Sequence, residues 1–274
     1  MKIIALMENT VGADCCIAAH GLSFYIQTEK HRLLMDAGPS GQTVKNAEEL
    51  GVDLSNVDIA VLSHGHYDHA DGFSEFLKVN SSARIYMQKT ALDGYYAVDD
   101  GKRRYIGIDE KLKTSERLAL IDGNYVIDDE LMLFTGINGR REFPFTNKRL
   151  FKEEGGSFVN DDFVHEQCLV VSQNGKRVLF SGCAHNGVLN VLDRFSEICG
   201  GEPDLVVSGF HLSKKTDYTE EDILKIRQTA QAMKNYNTRF FTCHCTGEFS
   251  YRIMKDILGG KLGYIRCGEQ IKLD

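Results

Sequence analysis

Apolar residues recur along the chain in short runs separated by glycine, asparagine and charged turns. Runs of this length predict β-strands, and two of them flank Asn174-Gly175, a dipeptide that favours a tight hairpin turn. The run over residues 57–63 has the composition of a fully buried strand. The predicted strands are 22–28, 32–36, 57–63, 168–172, 177–182, 205–207 and 239–242.

Helical periodicity appears between these strands. Thr219 and Asp222 have the spacing of a capping box, and Ile223, Ile226 and Ala230 follow at the spacing of an amphipathic helix. The other predicted helices are 43–50, 187–198, 248–258 and one after the histidine cluster, where Phe73, Phe76 and Leu77 fall at helical spacing. This alternation of strand pairs and helices predicts an α/β fold in which two sheets pack together with helices outside.

The segment from about 93 to 162 differs from the rest because it is charged, contains glycines and has no clear period. It predicts loops and short strands that shape a substrate pocket. The sequence shows no internal repeat and no Gly/Ser linker. We therefore expect residues 1–274 to form a single domain that contains this irregular segment.

Composition and charge narrow the classes of partner. The net charge of −7 and the pI of about 5.7 argue against nucleic acid as the main partner. No apolar run approaches the roughly 20 residues of a membrane helix, and MKIIALMENT at the start predicts a first strand rather than a signal peptide. We expect a cytoplasmic protein that acts on a small molecule, without nucleic-acid or membrane partners.

The eight cysteines include no CxxC pair, which argues against a zinc-finger type of structural site. In a cytoplasmic protein most of them are expected to be reduced thiols of the core. Cys183 and Cys245 are exceptions because each lies beside a candidate metal ligand.

The segment His64-Gly65-His66-Tyr67-Asp68-His69 concentrates three histidines and an aspartate between a predicted strand and a helix. Imidazole and carboxylate groups bind zinc, iron and manganese. Alternate side chains of a loop point the same way, so we predict that His64 and His66 share one ion. Asp68 and His69 are predicted to hold a second. We expect one or two divalent ions, with Zn first and Fe or Mn as alternatives.

This segment resembles the HxHxDH signature of the metallo-β-lactamase superfamily, and Asp36-Ala37-Gly38 resembles its upstream Asp-x-Gly turn. The resemblance covers most of the chain in the order of its elements. It implies a metallo-β-lactamase-type four-layer αβ/βα sandwich with the metal site at the edge of the two sheets.

The resemblance also implies ligands from later in the chain. His244 follows a late strand, as the last histidine ligand of the superfamily does. Many members carry a bridging aspartate in the turn where Cys183 stands here. A Cys183 thiolate is one alternative for that bridge, but His185, two residues on, is the more usual ligand type and is the predicted metal ligand. His165 precedes a strand, as the middle histidine of the superfamily does, so His165 or Glu166 is a rival or a partner to His185.

His211 follows the predicted strand 205–207 in a glycine-containing loop, and we expect it to bind substrate or transfer a proton. Asp68 is expected to hold a metal or to orient the nucleophile. His20 and His31 flank the first hairpin and are expected at the surface.

The segments SGCAHNG, SGFHL and TCHCTGE together resemble one branch of the superfamily, the dihydropterin–ribofuranosylaminobenzene phosphate synthases of methanopterin synthesis. Fold and motif host many chemistries, so the exact substrate does not follow from this resemblance. The matching positions are His64, His66, Asp68, His69, His185, His211 and His244.

Three functions fit these residues. The first is a metal-dependent hydrolase that activates water against an ester, lactone or phosphate-containing small molecule. The second is a transferase in pterin synthesis that displaces diphosphate. The third is a non-catalytic, metal-containing protein that binds a pterin or nucleotide, with aromatic side chains stacked on the flat ring; the candidates are Tyr95, Tyr96, Phe143 and Phe145. Candidate phosphate-binding residues are Lys102, Arg103, Arg104, Arg140, Arg141, Lys148 and Arg149.

Overall fold

Strands dominate the fold, which we describe over residues 1–273 from a computed structural model. Two large sheets and one small sheet contain the strands. The strands are β1 (Lys2–Met7), β2 (Ser23–Gln27), β3 (Arg32–Met35), β4 (Ile59–Val61), β5 (Arg84–Gln88), β6 (Tyr95–Asp99), β7 (Lys102–Tyr105), β8 (Leu118–Ile121), β9 (Tyr125–Val126), β10 (Leu131–Phe134), β11 (Leu150–Glu154), β12 (Ser157–Asn160), β13 (Cys168–Gln173), β14 (Lys176–Ser181), β15 (Leu205–Ser208), β16 (Arg239–Thr242), β17 (Leu262–Tyr264) and β18 (Gln270–Lys272).

The helices lie where the hydrophobic period predicts them, together with two short helices that the sequence did not indicate. The capping box is present: the Thr219 hydroxyl accepts from the backbone N–H of Asp222, and the Asp222 carboxylate accepts from that of Thr219. The helices are α1 (Gln42–Glu49), α2 (Tyr67–Ala70), α3 (Phe73–Val79), α4 (Glu110–Lys113), α5 (Val188–Cys199), α6 (Glu220–Met233) and α7 (Glu248–Leu258).

Each large sheet combines a parallel half with an antiparallel half. The first has the strand order β18-β1-β2-β3-β4-β5-β8 and is parallel from β3 onwards. The second has the order β17-β16-β15-β14-β13-β10-β9 and is parallel from β17 to β14. Helical crossovers join the parallel strands, which places the helices on the sheet faces.

The two large sheets pack face to face, and helices cover both outer faces. The core between the sheets contains Ile26 of the first sheet and Val207 of the second. Phe73 of α3 packs on the outer face of the first sheet, and Leu192 of α5 packs on the outer face of the second. Fully burying an aliphatic or aromatic side chain of this size contributes about 1.5–3 kcal/mol. The four-layer αβ/βα prediction is therefore confirmed.

Residues 93–162 are more regular than their sequence suggests. The strands β12, β11, β6 and β7 form a separate antiparallel sheet, while β8, β9 and β10 join the edges of the two large sheets. The small sheet has its own apolar cluster, which includes Tyr95, Leu150 and Phe163 and packs against Tyr67 of the histidine segment. This contact puts the small sheet beside the loop that follows β4.

Parallel pairing places the loops that carry the candidate site residues at the same edge of the second sheet. Ser181 at the end of β14 pairs with Ser208 of β15, and Ser208 pairs with Thr242 of β16. The loops after these three strands therefore leave the sheet side by side, opposite the loop after β4. Ligands favour this carboxyl edge of parallel strands. Within residues 1–273, none of the helices combines the length and apolarity that crossing a bilayer requires.

Candidate metal centre

The HxHxDH segment runs from the end of β4 into the short helix α2. His64 and His69 are fully buried, and Asp68 lies in the first turn of the helix. Gly65 is needed between the histidines, since a Cβ there would stand 2.6 Å from the Ala91 carbonyl oxygen and 2.9 Å from the Tyr95 ring. The backbone of this segment thus bends tightly enough to bring the histidine and aspartate side chains together.

Four buried imidazoles are oriented in the same way. Each Nδ1 lies against a side-chain oxygen that acts as acceptor, so Nδ1 carries the proton and Nε2 keeps its lone pair. This arrangement aims the Nε2 atoms of all four rings at a common centre. The pairs are His64 with Ser63 Oγ at 2.8 Å, His69 with Asp36 Oδ2 at 2.6 Å, His185 with Asn147 Oδ1 at 3.2 Å and His244 with Asn9 Oδ1 at 2.7 Å.

The inward-facing atoms have the spacing of ligands on shared ions. His64 Nε2 lies 3.3 Å from His185 Nε2, and Cys183 Sγ lies 3.3 Å from His69 Nε2. His244 Nε2 lies 3.4 Å from an Asp68 carboxylate oxygen. With metal–ligand bonds of about 2.0–2.3 Å, two ligands on one tetrahedral zinc stand roughly 3.3–3.7 Å apart. The spacing fits two neighbouring ion sites.

Three further nitrogens in the centre have no hydrogen-bond partner among residues 1–273. His66 Nε2 and both ring nitrogens of His211 are buried without a hydrogen bond. Leaving a buried polar atom unpaired costs about 1–3 kcal/mol, so such atoms mark a position for a ligand or ion. Together with the oriented imidazoles, they show that the residues present fit a divalent metal.

Burial keeps most of these imidazoles neutral, which is the form that binds a metal. Burial lowers the pKa of His66 to about 3 and that of His244 to about 4, and it takes the pKa of His64 and His185 well below the usual range. Burial also lowers the pKa of His69, but the Asp36 carboxylate outweighs it, and the net shift is upward.

Asp68 remains a carboxylate. Burial raises its pKa, but the neighbouring imidazoles of His20 and His244 offset this effect and hold the pKa well below its usual range. His20, expected at the surface, has a side chain that is 63% exposed, yet its Nε2 lies 3.3 Å from Asp68 Oδ2. His20 therefore stands at the solvent-facing edge of the centre.

The rivals for the His185 role are both occupied elsewhere. His165 Nδ1 accepts from the Gly65 backbone N–H at 2.9 Å, which leaves its Nε2–H to donate to Asp161 at 3.1 Å. His66, Asp161 and His165 lie close enough to suggest a cation site, but these bonds use both nitrogens of His165. His165 supports the loop that carries His64 and His66.

Glu166 also supports a ligand loop instead of facing the centre. Its two carboxylate oxygens accept from the backbone N–H groups of His185 at 2.6 Å and Asn186 at 3.0 Å. Burial raises the pKa of Glu166, although these hydrogen bonds act in the opposite direction. The structure therefore places His185, rather than His165 or Glu166, against His64.

Glu8 supports the turn that carries His244 in the same way as Glu166 supports the turn that carries His185. This role of Glu8 was not predicted from the sequence. Its fully buried carboxylate accepts from the His244 backbone N–H at 2.6 Å and from the Tyr264 hydroxyl at 2.8 Å. The only sequence signal was an acidic residue that directly follows the buried strand β1. Asn9, the next residue, orients the His244 ring.

His211 lies beside the centre as the loop position predicted. Its ring centroid is 4.1 Å from that of His185, and the Thr146 hydroxyl donates to its carbonyl oxygen at 2.5 Å. His211 and His244 both have φ of 48°, in the left-handed region that side chains rarely adopt. Backbone strain of this kind, about 1–3 kcal/mol per residue, is concentrated at functional sites.

The remaining predicted residues differ in how close they lie to the centre. His31 lies outside the centre, between Asp58 and Asp128 at 2.6 Å from each. Of the seven basic candidates, Arg104 and Arg149 lie near the centre, where they share Asp99, whereas Arg141 pairs with Asp193 on α5. Tyr95 is buried over the His165 ring and is not free to stack on a ligand.

Comparison with known proteins agrees with this geometry. The family model of the metallo-beta-lactamase superfamily matches residues 18–230. The chain is 30% identical to Tm1679, described as a metal-dependent hydrolase of the beta-lactamase superfamily, with a TM-score of 0.80 over 100% of this chain and 99% of that one.

Two proteins of Methanocaldococcus jannaschii are similar over most of their length. One, uncharacterized, is 29% identical over 88% of this chain and 89% of its own. The other is the 7,8-dihydropterin-6-methyl-4-(beta-D-ribofuranosyl)-aminobenzene-5'-phosphate synthase, 27% identical over 90% of this chain and 88% of its own. The resemblance inferred from HxHxDH is confirmed, and the chain belongs to the metallo-beta-lactamase superfamily.

Proposed function

We propose that this protein is a metal-dependent hydrolase that acts on a small molecule containing a phosphate ester, carboxylic ester or lactone. The observation that carries the proposal is the convergence of four oriented imidazoles, with Asp68 and Cys183, on one buried centre. Zinc is the ion that we propose first, with iron or manganese as alternatives. The similarity to Tm1679 supports hydrolysis as the reaction type.

The ions and the protein supply different parts of the chemistry. A divalent ion lowers the pKa of water from 15.7 towards about 7 and polarises a phosphoryl or carbonyl oxygen. Asp68, held as a carboxylate, is a metal ligand and orients the attacking water. Burial lowers the pKa of His211 well below the usual range, so the neutral ring donates an N–H hydrogen bond to developing negative charge.

Two arginines favour an anionic substrate. Arg149 ends the turn in which Thr146 contacts His211 and Asn147 contacts His185. Burial is the main cause of the low pKa of His211, and the guanidinium of Arg149 is close enough to lower it further. Arg104 lies 5.5 Å over the ring of Tyr67. Among the carboxylates of residues 1–273, Asp99 alone forms an ion pair with these two arginines, so we propose that they bind phosphate oxygens beside the metal centre.

A transferase of pterin synthesis is the second candidate, favoured by the similarity to the Methanocaldococcus jannaschii synthase. In that reaction the same centre and arginines would hold a diphosphate leaving group while a carbon or amine of the second substrate attacks. The two functions differ in the nucleophile: water in the hydrolase and an aromatic acceptor in the transferase.

The test uses zinc-loaded protein with phosphate esters, lactones and a dihydropterin diphosphate in ¹⁸O-labelled water. Hydrolysis predicts turnover without a second substrate and ¹⁸O in the product. Turnover that requires an added aminobenzene ribofuranose phosphate, with no ¹⁸O incorporated, would replace the hydrolase with the transferase. Binding of a pterin or nucleotide without any turnover would leave a binding protein.

Arginine variants test the substrate class. Arg149→Met is expected to raise KM for a phosphorylated substrate by about tenfold or more, because it removes a charge-assisted hydrogen bond of about 1.5–3 kcal/mol. Arg141→Met is the matched control, since Arg141 is equally an ion-paired surface arginine but contacts Asp193 and Tyr236. An equal effect of both substitutions would remove Arg149 from the substrate site.

A further inference from the structure

The thiol of Cys183 occupies the middle of the candidate metal centre. Its sulfur lies within 4.8 Å of the ligand atoms of His64 and His185 and, on the other side, within 4.8 Å of those of His69 and His244. Each of these two groups is a separate candidate for one ion, and Cys183 is the member that they share. We propose that the Cys183 thiolate bridges two metal ions.

The chain places this sulfur by the shape of one tight turn. Gly182 precedes Cys183, and a Cβ at Gly182 would stand 2.1 Å from Ser63 Oγ. Ala184 follows with φ of 48°. The turn after β14 thus packs against the Asp36–Ser63 pair that also orients His64 and His69. The side chain of Cys183 extends between the two histidine pairs from this position.

On the side of His69 the distance fits ligation of a shared ion, and on the other side the sulfur lies within 4.8 Å of the ligand atoms of His64 and His185. Cys183 Sγ to His69 Nε2 is 3.3 Å, close to the ~3.6 Å expected for a sulfur and a nitrogen on one tetrahedral ion with bonds of about 2.3 and 2.1 Å. The sulfur is buried, so it is shielded from competing oxidants and from bulk water. When the ions bind, the thiol proton leaves to solvent, and the thiolate partly balances their positive charge.

The neighbouring Cys245 is engaged differently. Its sulfur accepts from the His211 backbone N–H at 3.3 Å, and its S–H donates to the Cys183 carbonyl oxygen at 3.6 Å. Cys245 belongs to one candidate group, with Cys183 and His211, and to neither histidine pair. We therefore assign the bridge to Cys183, while Cys245 supports the turn that holds His211.

This inference rests on the metal centre of the proposed function, but its test requires no substrate. The protein is loaded with Co²⁺, and thiolate-to-cobalt charge-transfer absorption in the near ultraviolet is recorded together with cobalt bound per chain. Wild type is expected to show the band. Cys183→Ser is expected to lose it and to bind cobalt at least ~10–100-fold more weakly, the loss seen even for outer-shell partners.

Two further variants make the result specific. Cys183→Asp supplies a carboxylate that bridges without sulfur, so it is expected to restore the cobalt content of wild type without the band. Cys168→Ala is the control for loss of a buried thiol, because Cys168 packs in the core between the second sheet and its helices. It is expected to keep both the band and the stoichiometry.

Two outcomes would overturn the bridge. These are a band that survives in Cys183→Ser and disappears in Cys245→Ser, or no band in wild type that binds cobalt. Unfolding midpoints of the metal-free variants show whether a loss reflects misfolding, and Cys183→Asp keeps the test decisive if Cys183→Ser is unstable. A band without hydrolysis of any substrate would contradict the proposed function alone, and hydrolysis without a band would contradict this inference alone.

Discussion

Glu8 offers a sharp test of how the protein stabilises a ligand loop. Each oxygen of its buried carboxylate faces a backbone donor: Oε1 accepts from the N–H of His244, and Oε2 accepts from the N–H of Thr10 at 2.6 Å. Glu8→Gln keeps the size of the side chain and replaces one oxygen with an NH₂ group. Whichever way the amide turns, its NH₂ meets a backbone N–H that can only donate.

The magnitude follows from these contacts. The substitution removes one hydrogen bond to a charged group, worth about 1.5–3 kcal/mol, and leaves a buried N–H unpaired at a cost of about 1–3 kcal/mol. The two costs overlap in part, so we expect the free energy of unfolding to fall by about 3 kcal/mol. The His244 turn also loses its support, and metal affinity is expected to fall by about 10–100-fold.

The assay is urea unfolding of metal-free protein, followed by circular dichroism, with zinc affinity measured separately. Glu116→Gln, at an exposed glutamate, is the control and is expected to change stability by less than about 0.5 kcal/mol. If Glu8→Gln unfolded at the same urea concentration as wild type, the proposed role of the two donors would be wrong.

Three other substitutions test buried or paired charges, one outside the centre and two beside it. Burial lowers the pKa of His31, but Asp58 and Asp128 outweigh it and raise the pKa above the ordinary 6.5; its contribution to stability is therefore complete below pH 6.5 and is lost as pH rises through the raised pKa. His31→Asn should cost about 0.5–1 kcal/mol at about pH 5.5 and little at about pH 9 in urea unfolding, and a loss independent of pH would contradict this. Glu166→Gln should lower the free energy of unfolding by about 3 kcal/mol, since each of its oxygens also faces a backbone N–H; wild-type stability would refute that reasoning. Asp36→Asn should weaken zinc binding about 10–100-fold by competition with a chelator, and an unchanged affinity would show that its bond to the imidazole does not matter.

Local patterns were enough to predict most of the sandwich. The capping box at Thr219 and the hairpin around Asn174-Gly175 depend on residues a few positions apart, and both elements form as predicted. The small sheet formed by β6, β7, β11 and β12 was not predicted. Its strand β11 pairs with β6 across about fifty intervening residues, and several of its strand residues are charged and exposed.

The candidate site also contains a part that local sequence predicted and a part that it did not. The HxHxDH segment is contiguous, so its spacing alone predicts candidate metal ligands. The residues that orient the ligands are distant in the chain: Asn9 and His244 are 235 positions apart, and Asn147 and His185 are 38 apart. A buried glutamate such as Glu8 carries no local signature, since its partners become visible only when the fold brings the loops together.

We propose that the buried centre holds two ions and that His185 and His244 bind different ions. Elemental analysis of protein purified without added metal tests it most directly, comparing wild type with His185→Ala and His244→Ala. His31→Ala is the control, because that histidine lies outside the centre. We predict about two ions per chain in wild type and in the control, and one or fewer in each of the other variants. Unchanged metal content in both variants, or no metal in wild type even after reconstitution, would contradict the account.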